Sequence, residues 1–169
     1  MQNKYNLIIL MCLFFTLLLS LKAFRKEPRY YLNLSNSEPV GIYKLLPFDG
    51  HLKVGDLVVF KVPEKAASYI YGRGWLPDGW PLIKNVGALP GDKVIISDSS
   101  LKINDVDIGP VFNKDHKGKF LPKLRGEIDI PEGYFLPIST VIQNSFDGRY
   151  FGAVSLSAIK GKVLLIHKF

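Results

Sequence analysis

Cysteine is almost missing from this chain of 169 residues: Cys12 stands alone. A single thiol allows neither an intrachain disulfide nor a cysteine-based metal site. Histidine is scarce too, with three in all. His51 follows a Gly in a turn, His116 lies in the charged "KDHKGK" stretch and His167 is two residues from the C-terminus. Each reads as a surface residue, so neither a histidine-assisted nucleophile nor a metal cluster is supported. Acidic residues are absent from residues 1–21, where the only charge is one Lys. Beyond residue 25 no amphipathic run of ten or more residues has helical spacing, and no repeat or low-complexity tract occurs.

What the chain does have begins with a surplus of cations, 22 Lys+Arg against 15 Asp+Glu. That balance suits an anionic membrane surface or nucleic acid. The cations are dispersed and no helix-turn-helix or zinc pattern is present, so no nucleic-acid partner is expected. Membrane lipid is the expected partner, because Leu7 to Leu21, "LIILMCLFFTLLLSL", is uncharged and with its flanks reaches about the 20 residues a bilayer span needs. A cleaved secretory signal is the rival reading. The run ends in Lys22-Ala23-Phe24-Arg25-Lys26 with no small-x-small site, and Met11 before Cys12 is wrong for a lipoprotein signal. Residues 1–24 are therefore expected to be an uncleaved anchor, 25–32 a linker and 33–169 one folded domain. Lys22, Arg25, Lys26 and Arg29 follow the span, and positive-inside counting alone would place that domain in the cytoplasm.

The domain reads as all-β, of short and mostly antiparallel strands. Strands are expected at Val40–Leu45, Leu57–Val62, Leu82–Val86, Lys93–Ser97, Leu101–Ile103 with Val106–Ile108, Tyr134–Ile138 and Lys162–His167, separated by Gly, Pro, Asn and Asp. Asn104-Asp105 should close a hairpin. Residues 64–80, rich in Gly and aromatics, and residues 110–128, charged and broken by Pro, look like excursions from the sheet.

Three stretches hold candidate chemistry. In "SNSEP", Pro39 fixes its own φ and biases Glu38 towards an extended backbone, a turn that could hold Ser37 rigidly at a strand entrance. The same residues also make an ordinary loop. In "PLIKNVGALPGDKV", Lys84 either points to solvent on an alternating strand or faces the core, where its charge would be costly. Lowering an amine from about 10.4 to about 8 takes roughly 3 kcal/mol of differential interaction, and the neutral amine can then serve a serine hydroxyl as general base. In "QNSFDGRYFG", Asp147-Gly148 reads as a turn, and Asp147 with Arg149 as a surface ion pair or part of a site.

Taken in this order and behind an apolar N-terminus, "SNSEP" with "VGIY", "IKNVGALPGDKV" and "NSFDGRYFG" resemble the type I signal peptidase family, most closely its TraF-type branch of conjugative transfer peptidases. The resemblance covers residues 33–169 and implies a signal-peptidase-like β domain. It implies Ser37 as nucleophile and Lys84 as general base. Ser35 would lend its hydroxyl to an oxyanion hole with the Ser37 backbone N–H, Ser145 would orient the Lys84 amine, and Asp147 and Arg149 would support the site. It further implies a domain on the periplasmic side of a bacterial inner membrane, against the charge count. The substrate would be a propilin or signal-peptide-bearing precursor, with no metal or organic cofactor. The alternatives are a general signal peptidase and a non-catalytic anchored β module of a pilus or secretion apparatus. One departure stands out: the residue after the lysine is commonly Arg and here is Asn85.

Overall fold

The computed structural model describes residues 8–16 and 29–169. Residues 8–16 are helical and exposed, while the rest of the expected span and residues 25–28 of the expected linker lie outside the described residues. Among the described residues no helix is long and apolar enough to cross a membrane.

Eleven strands are described: β1 (Tyr30–Asn33), β2 (Gly41–Leu46), β3 (Leu57–Phe60), β4 (Leu82–Ala88), β5 (Val94–Ile96), β6 (Ser100–Ile103), β7 (Val106–Pro110), β8 (Gly126–Ile128), β9 (Tyr134–Ile138), β10 (Val154–Ser155) and β11 (Ile159–Lys168). They form a seven-stranded sheet, β1-β2-β11-β3-β4-β9-β10, and a four-stranded one, β7-β6-β5-β8. Every pairing is antiparallel, as the short alternating runs require. The expected hairpin is present: Asn104 and Asp105 both take positive φ, 50° and 65°, the pairing that a two-residue turn between right-twisted strands demands.

Apolar residues on alternating positions build three cores. Ala88, Leu136 and Ile138 of the large sheet pack against Val94, Ile96, Leu101 and Ile103 of the small one. A second core joins Val58, Phe60, Leu82, Val86 and Phe135 to Ala66 and Ile70 of a short helix, α1 (Glu64–Ile70). On the opposite face of the large sheet, Tyr43, Val59, Ile83 and Val163 form the third. β4 sits between two of these cores, so Ile83 enters one while Leu82 and Val86 enter the other. Lys84 lies between Leu82 and Val86 in the period-two alternation and shares their buried face.

Three expectations need correction. Tyr30–Asn33, read largely as linker, is strand β1, because it finds a partner in β2 with Tyr31 opposite Tyr43. The 64–80 excursion opens with α1, too short to show a helical period in the sequence. The 110–128 excursion ends in β8, which exists by pairing with β5. The two excursions also hold one another: Arg73 meets Asp115 at 2.6 Å and donates to the Phe120 carbonyl at 2.6 Å.

Candidate active site

The segment between β1 and β2 is shaped by one side chain. Asn33, buried at the end of β1, donates from Nδ2 to the carbonyls of Ser35, Glu38 and Pro39 at 2.9, 2.9 and 3.1 Å. Its Oδ1 accepts from the Ser35 backbone N–H at 3.1 Å and the Ser35 hydroxyl at 2.9 Å. Tyr43 adds a hydrogen bond from its hydroxyl to the Pro39 carbonyl at 2.6 Å. Ser37 is thus carried on a turn whose carbonyls are tied down on both sides. Ser37 Oγ lies 3.0 Å from Ser35 Oγ. With the Ser35 hydrogen given to Asn33, Ser37 is the donor of that contact. Ser35 would have to turn its hydroxyl away from Asn33 to face an oxyanion.

Lys84 is 2% exposed, which excludes the solvent-facing reading. Burial lowers its amine from 10.5 to about 8, while the carboxylates of Asp147 and Glu38 raise it and the Arg149 cation lowers it further. No hydrogen bond joins Lys84 to Ser37 among the described residues. Both line one cavity of about 320 Å³, together with Ser35, Ser145, Leu82 and Ile70. Ser35 and Ser37 also border a groove of about 440 Å³ on their other side, lined by Leu32, Trp80 and Ile83. The two serines therefore stand where two apolar clefts meet.

The third segment follows β9. Phe146 anchors it, with its ring 5.1–5.7 Å from those of Tyr69, Trp75, Tyr150 and Phe151. That placement points Ser145 into the cavity, where its Oγ is buried without a hydrogen-bond partner. The bond to Lys84 implied by the resemblance is not made in this structure, although the hydroxyl is free to make one. Asp147 caps the short helix α2 (Gly148–Phe151), accepting from the Arg149 N–H at 3.1 Å through Oδ1 and from the Ser139 N–H at 2.9 Å through Oδ2. Arg149 Nε is 3.4 Å from Asp147 Oδ1, and its other nitrogens donate to the carbonyls of Pro110, Gln143 and Ser139. Both residues are buried, which excludes the surface ion pair. Burial holds the Asp147 carboxyl above its ordinary range, against the pull of Arg149.

Three residues here were not singled out by sequence reasoning. Asn33 shows only as an Asn two residues before a Ser, a common turn pattern. Ser139 donates its hydroxyl to the Ser37 carbonyl and its N–H to Asp147, joining the first and third segments. Glu38 is 2% exposed, with its carboxylate held by Asn85 Nδ2 at 3.0 and 3.1 Å. Burial raises it from 4.5 to about 7, against the opposing pull of Lys84. His116, read as a surface residue, is exposed yet lines the cavity wall, while His51 and His167 lie elsewhere on the surface. Among the described residues no group of three His, Cys, Asp or Glu side chains is arranged to hold a metal.

An antiparallel β domain that gathers serine hydroxyls, a buried amine and a buried carboxylate around a cleft is the form of a serine peptidase. The chain belongs to the signal peptidase family, peptidase S26, which matches residues 2–168. It is 36% identical over 139 residues to a conjugal transfer protein TraF of Agrobacterium tumefaciens, covering 77% of each chain. A plasmid transfer protein TraF of Escherichia coli is 31% identical, with 76% of this chain and 77% of that one covered. The signal peptidase I of Bacillus licheniformis is 29% identical over 79% of this chain and 71% of its own. Among solved structures, a signal peptidase I of Enterococcus faecalis is 20% identical with a TM-score of 0.41, covering 68% of this chain and 97% of that one.

Proposed function

We propose that the chain is a membrane-anchored serine endopeptidase acting on the outer side of a bacterial inner membrane, with Ser37 as nucleophile and Lys84 as general base. The observation that carries this reading is the meeting of Ser37 and a buried amine, lowered to about 8, in one cavity. Near neutral pH a fraction of that amine is unprotonated, and the fraction grows quickly above pH 8. Ser37 Oγ turns from Ser35 towards Lys84 and attacks the scissile carbonyl as its proton passes to Nζ. The tetrahedral oxyanion is met by the Ser37 N–H and the reoriented Ser35 hydroxyl, donors of a kind that contribute roughly 3–4 kcal/mol. Collapse breaks the peptide bond, and Lys84 returns the proton to the leaving amine. The acyl-enzyme on Ser37 is resolved by water or by an amine of the substrate itself, which closes a ring. Ser145 steadies the amine, and Asp147 with Arg149 fixes the segment that carries Ser145.

The substrate is an exported precursor running extended between the two clefts, with small side chains before the cleavage point. The names of the TraF relatives favour a propilin of a conjugation system. The likeness to the Bacillus licheniformis signal peptidase I favours a broader range of precursors, and the substrate set separates the two. The test is co-expression with the pilin precursor and mass spectrometry of the product, for wild type, Ser37→Ala and Lys84→Ala. Loss of processing in both variants at normal abundance is expected, and a ring is lighter than the hydrolysed product by one water. Processing by the variants would leave only the non-catalytic assembly module.

A further inference from the structure

Two carboxylates act on Lys84, and they differ in what already answers their charge. Asp147 has two backbone N–H donors and the Arg149 guanidinium at 3.4 Å. Its negative charge is matched inside its own segment. Glu38 is equally buried, and its carboxylate oxygens accept only from the neutral amide of Asn85. Among the described residues no Arg or Lys forms an ion pair with it. A buried carboxylate held by a neutral amide is a costly thing to keep for stability alone. Its backbone is pinned as well, since Asn33 holds the Glu38 carbonyl, so the side chain projects from a fixed point beside the nucleophile.

We propose that Glu38 is the counter-charge for the ammonium that forms on Lys84 when Ser37 gives up its proton, a positioning role that Asp147, matched by Arg149, does not fill. This rests on the reading of Lys84 as the base. The charged groups that face Lys84 are Asp147, Glu38 and Arg149. Those that face Glu38 are Lys84 and Asp147, with the Tyr43 phenol nearby on β2. With Asp147 and Arg149 cancelling, the resting site with a neutral amine carries the single charge of Glu38. Proton transfer from Ser37 turns that lone charge into an ion pair in a low-dielectric pocket, where the attraction is strong. The carboxylate of a serine–histidine–aspartate triad does the same for an imidazolium. Asn85 fits the role: a cation there would neutralise Glu38 before the reaction begins.

The test reads Lys84 directly. The full-length chain in detergent micelles, carrying 13Cε-labelled lysine, is titrated by NMR, with the Lys84 signal assigned from Lys84→Met. Glu38→Gln should lower the Lys84 midpoint by about one pH unit, the smaller end of what a neighbouring charge does in a buried site. In the precursor-cleavage assay from pH 6 to 10, the acid limb should move down with it, and the rate above that limb should fall at least tenfold. Glu38→Asp should restore the midpoint to within a few tenths of a unit. Asn85→Arg, which supplies the missing cation, should lower the midpoint as Glu38→Gln does, and it replaces that variant should the latter not fold. An unchanged midpoint in both Glu38→Gln and Asn85→Arg overturns the proposal. A midpoint that moves in a chain that cleaves no precursor supports the pairing of Glu38 with Lys84 and overturns the peptidase reading instead.

Discussion

The buried amine and the buried carboxyls make a prediction about stability that needs no substrate. Glu38 titrates at about 7 in the folded chain against 4.5 in the unfolded one. Between those values the folded state holds a proton that the unfolded state has lost, so stability falls as pH rises from 4.5 to 7. Asp147, also raised by burial, deepens the same descent. Lys84 has the opposite effect. Its folded value of about 8 lies below 10.5, so from pH 8 upwards the unfolded chain binds the extra proton and stability climbs again. The alkaline climb amounts to roughly 3 kcal/mol when complete near pH 10.5. Stability should therefore pass through a trough between about pH 7 and 8, where both groups are charged inside the protein.

Lys84→Met separates the two sides of the trough. Methionine keeps most of the volume and removes the charge, so the alkaline climb should vanish and the acid-side descent should move to higher pH, since Glu38 loses its cation. At pH 7 the variant should melt above wild type, by about 6–10 °C for the full 3 kcal/mol in a chain of this size. Scanning fluorimetry on Trp75 and Trp80 in detergent, at half-unit steps from pH 5 to 10, reads both effects. A variant that melts lower than wild type at every pH, or a wild type whose stability does not rise above pH 8, would refute the burial argument for Lys84.

Asn33→Ala should cost about 2–3 kcal/mol in urea unfolding, because the buried carbonyl of Glu38 loses its donor. Precursor cleavage should fall further than folded abundance does, since Ser35 and Ser37 lose the turn that holds them. Arg149→Met leaves the Asp147 carboxylate buried without its cation and strips donors from the carbonyls of Gln143 and Ser139. It should destabilise by about 3–5 kcal/mol at pH 8 and by less at pH 5, where Asp147 can take up a proton, and a comparison of urea midpoints at the two values checks it.

How much of this was legible in the sequence depended on the range of each interaction. The strands that alternate over five or more residues, β2, β4, β9 and β11, announced themselves. The Asn104-Asp105 turn was equally plain, because its residues are those that tolerate positive φ. β1, β8 and β10 hold four, three and two residues and exist through their partners, so no local pattern could declare them. Lys84 was a different case. Alternation allowed it to face water or core, and only the packing of Leu82 and Val86 beneath α1 decides for the core.

The site shows the same division between chemistry and support. Ser37, Lys84 and Asp147 sit in short, ordered motifs, because a reacting group and its backbone turn are local features. Asn33 and Ser139 hold those motifs in register through bonds to backbone carbonyls, and such bonds leave almost no mark on residue type. Ser139 is 102 residues from the Ser37 carbonyl it holds, a distance that only the sheet order can cross. That order places β9 beside β4 and sets β1 at one edge, so the turn after β1 reaches the segment after β9 across the face carrying Lys84. Glu38 falls between the two kinds of residue. It lies inside the serine motif and is plain to see, yet its importance follows from what faces it: Asn85 where a cation is common, and an amine whose only other carboxylate is already matched by Arg149.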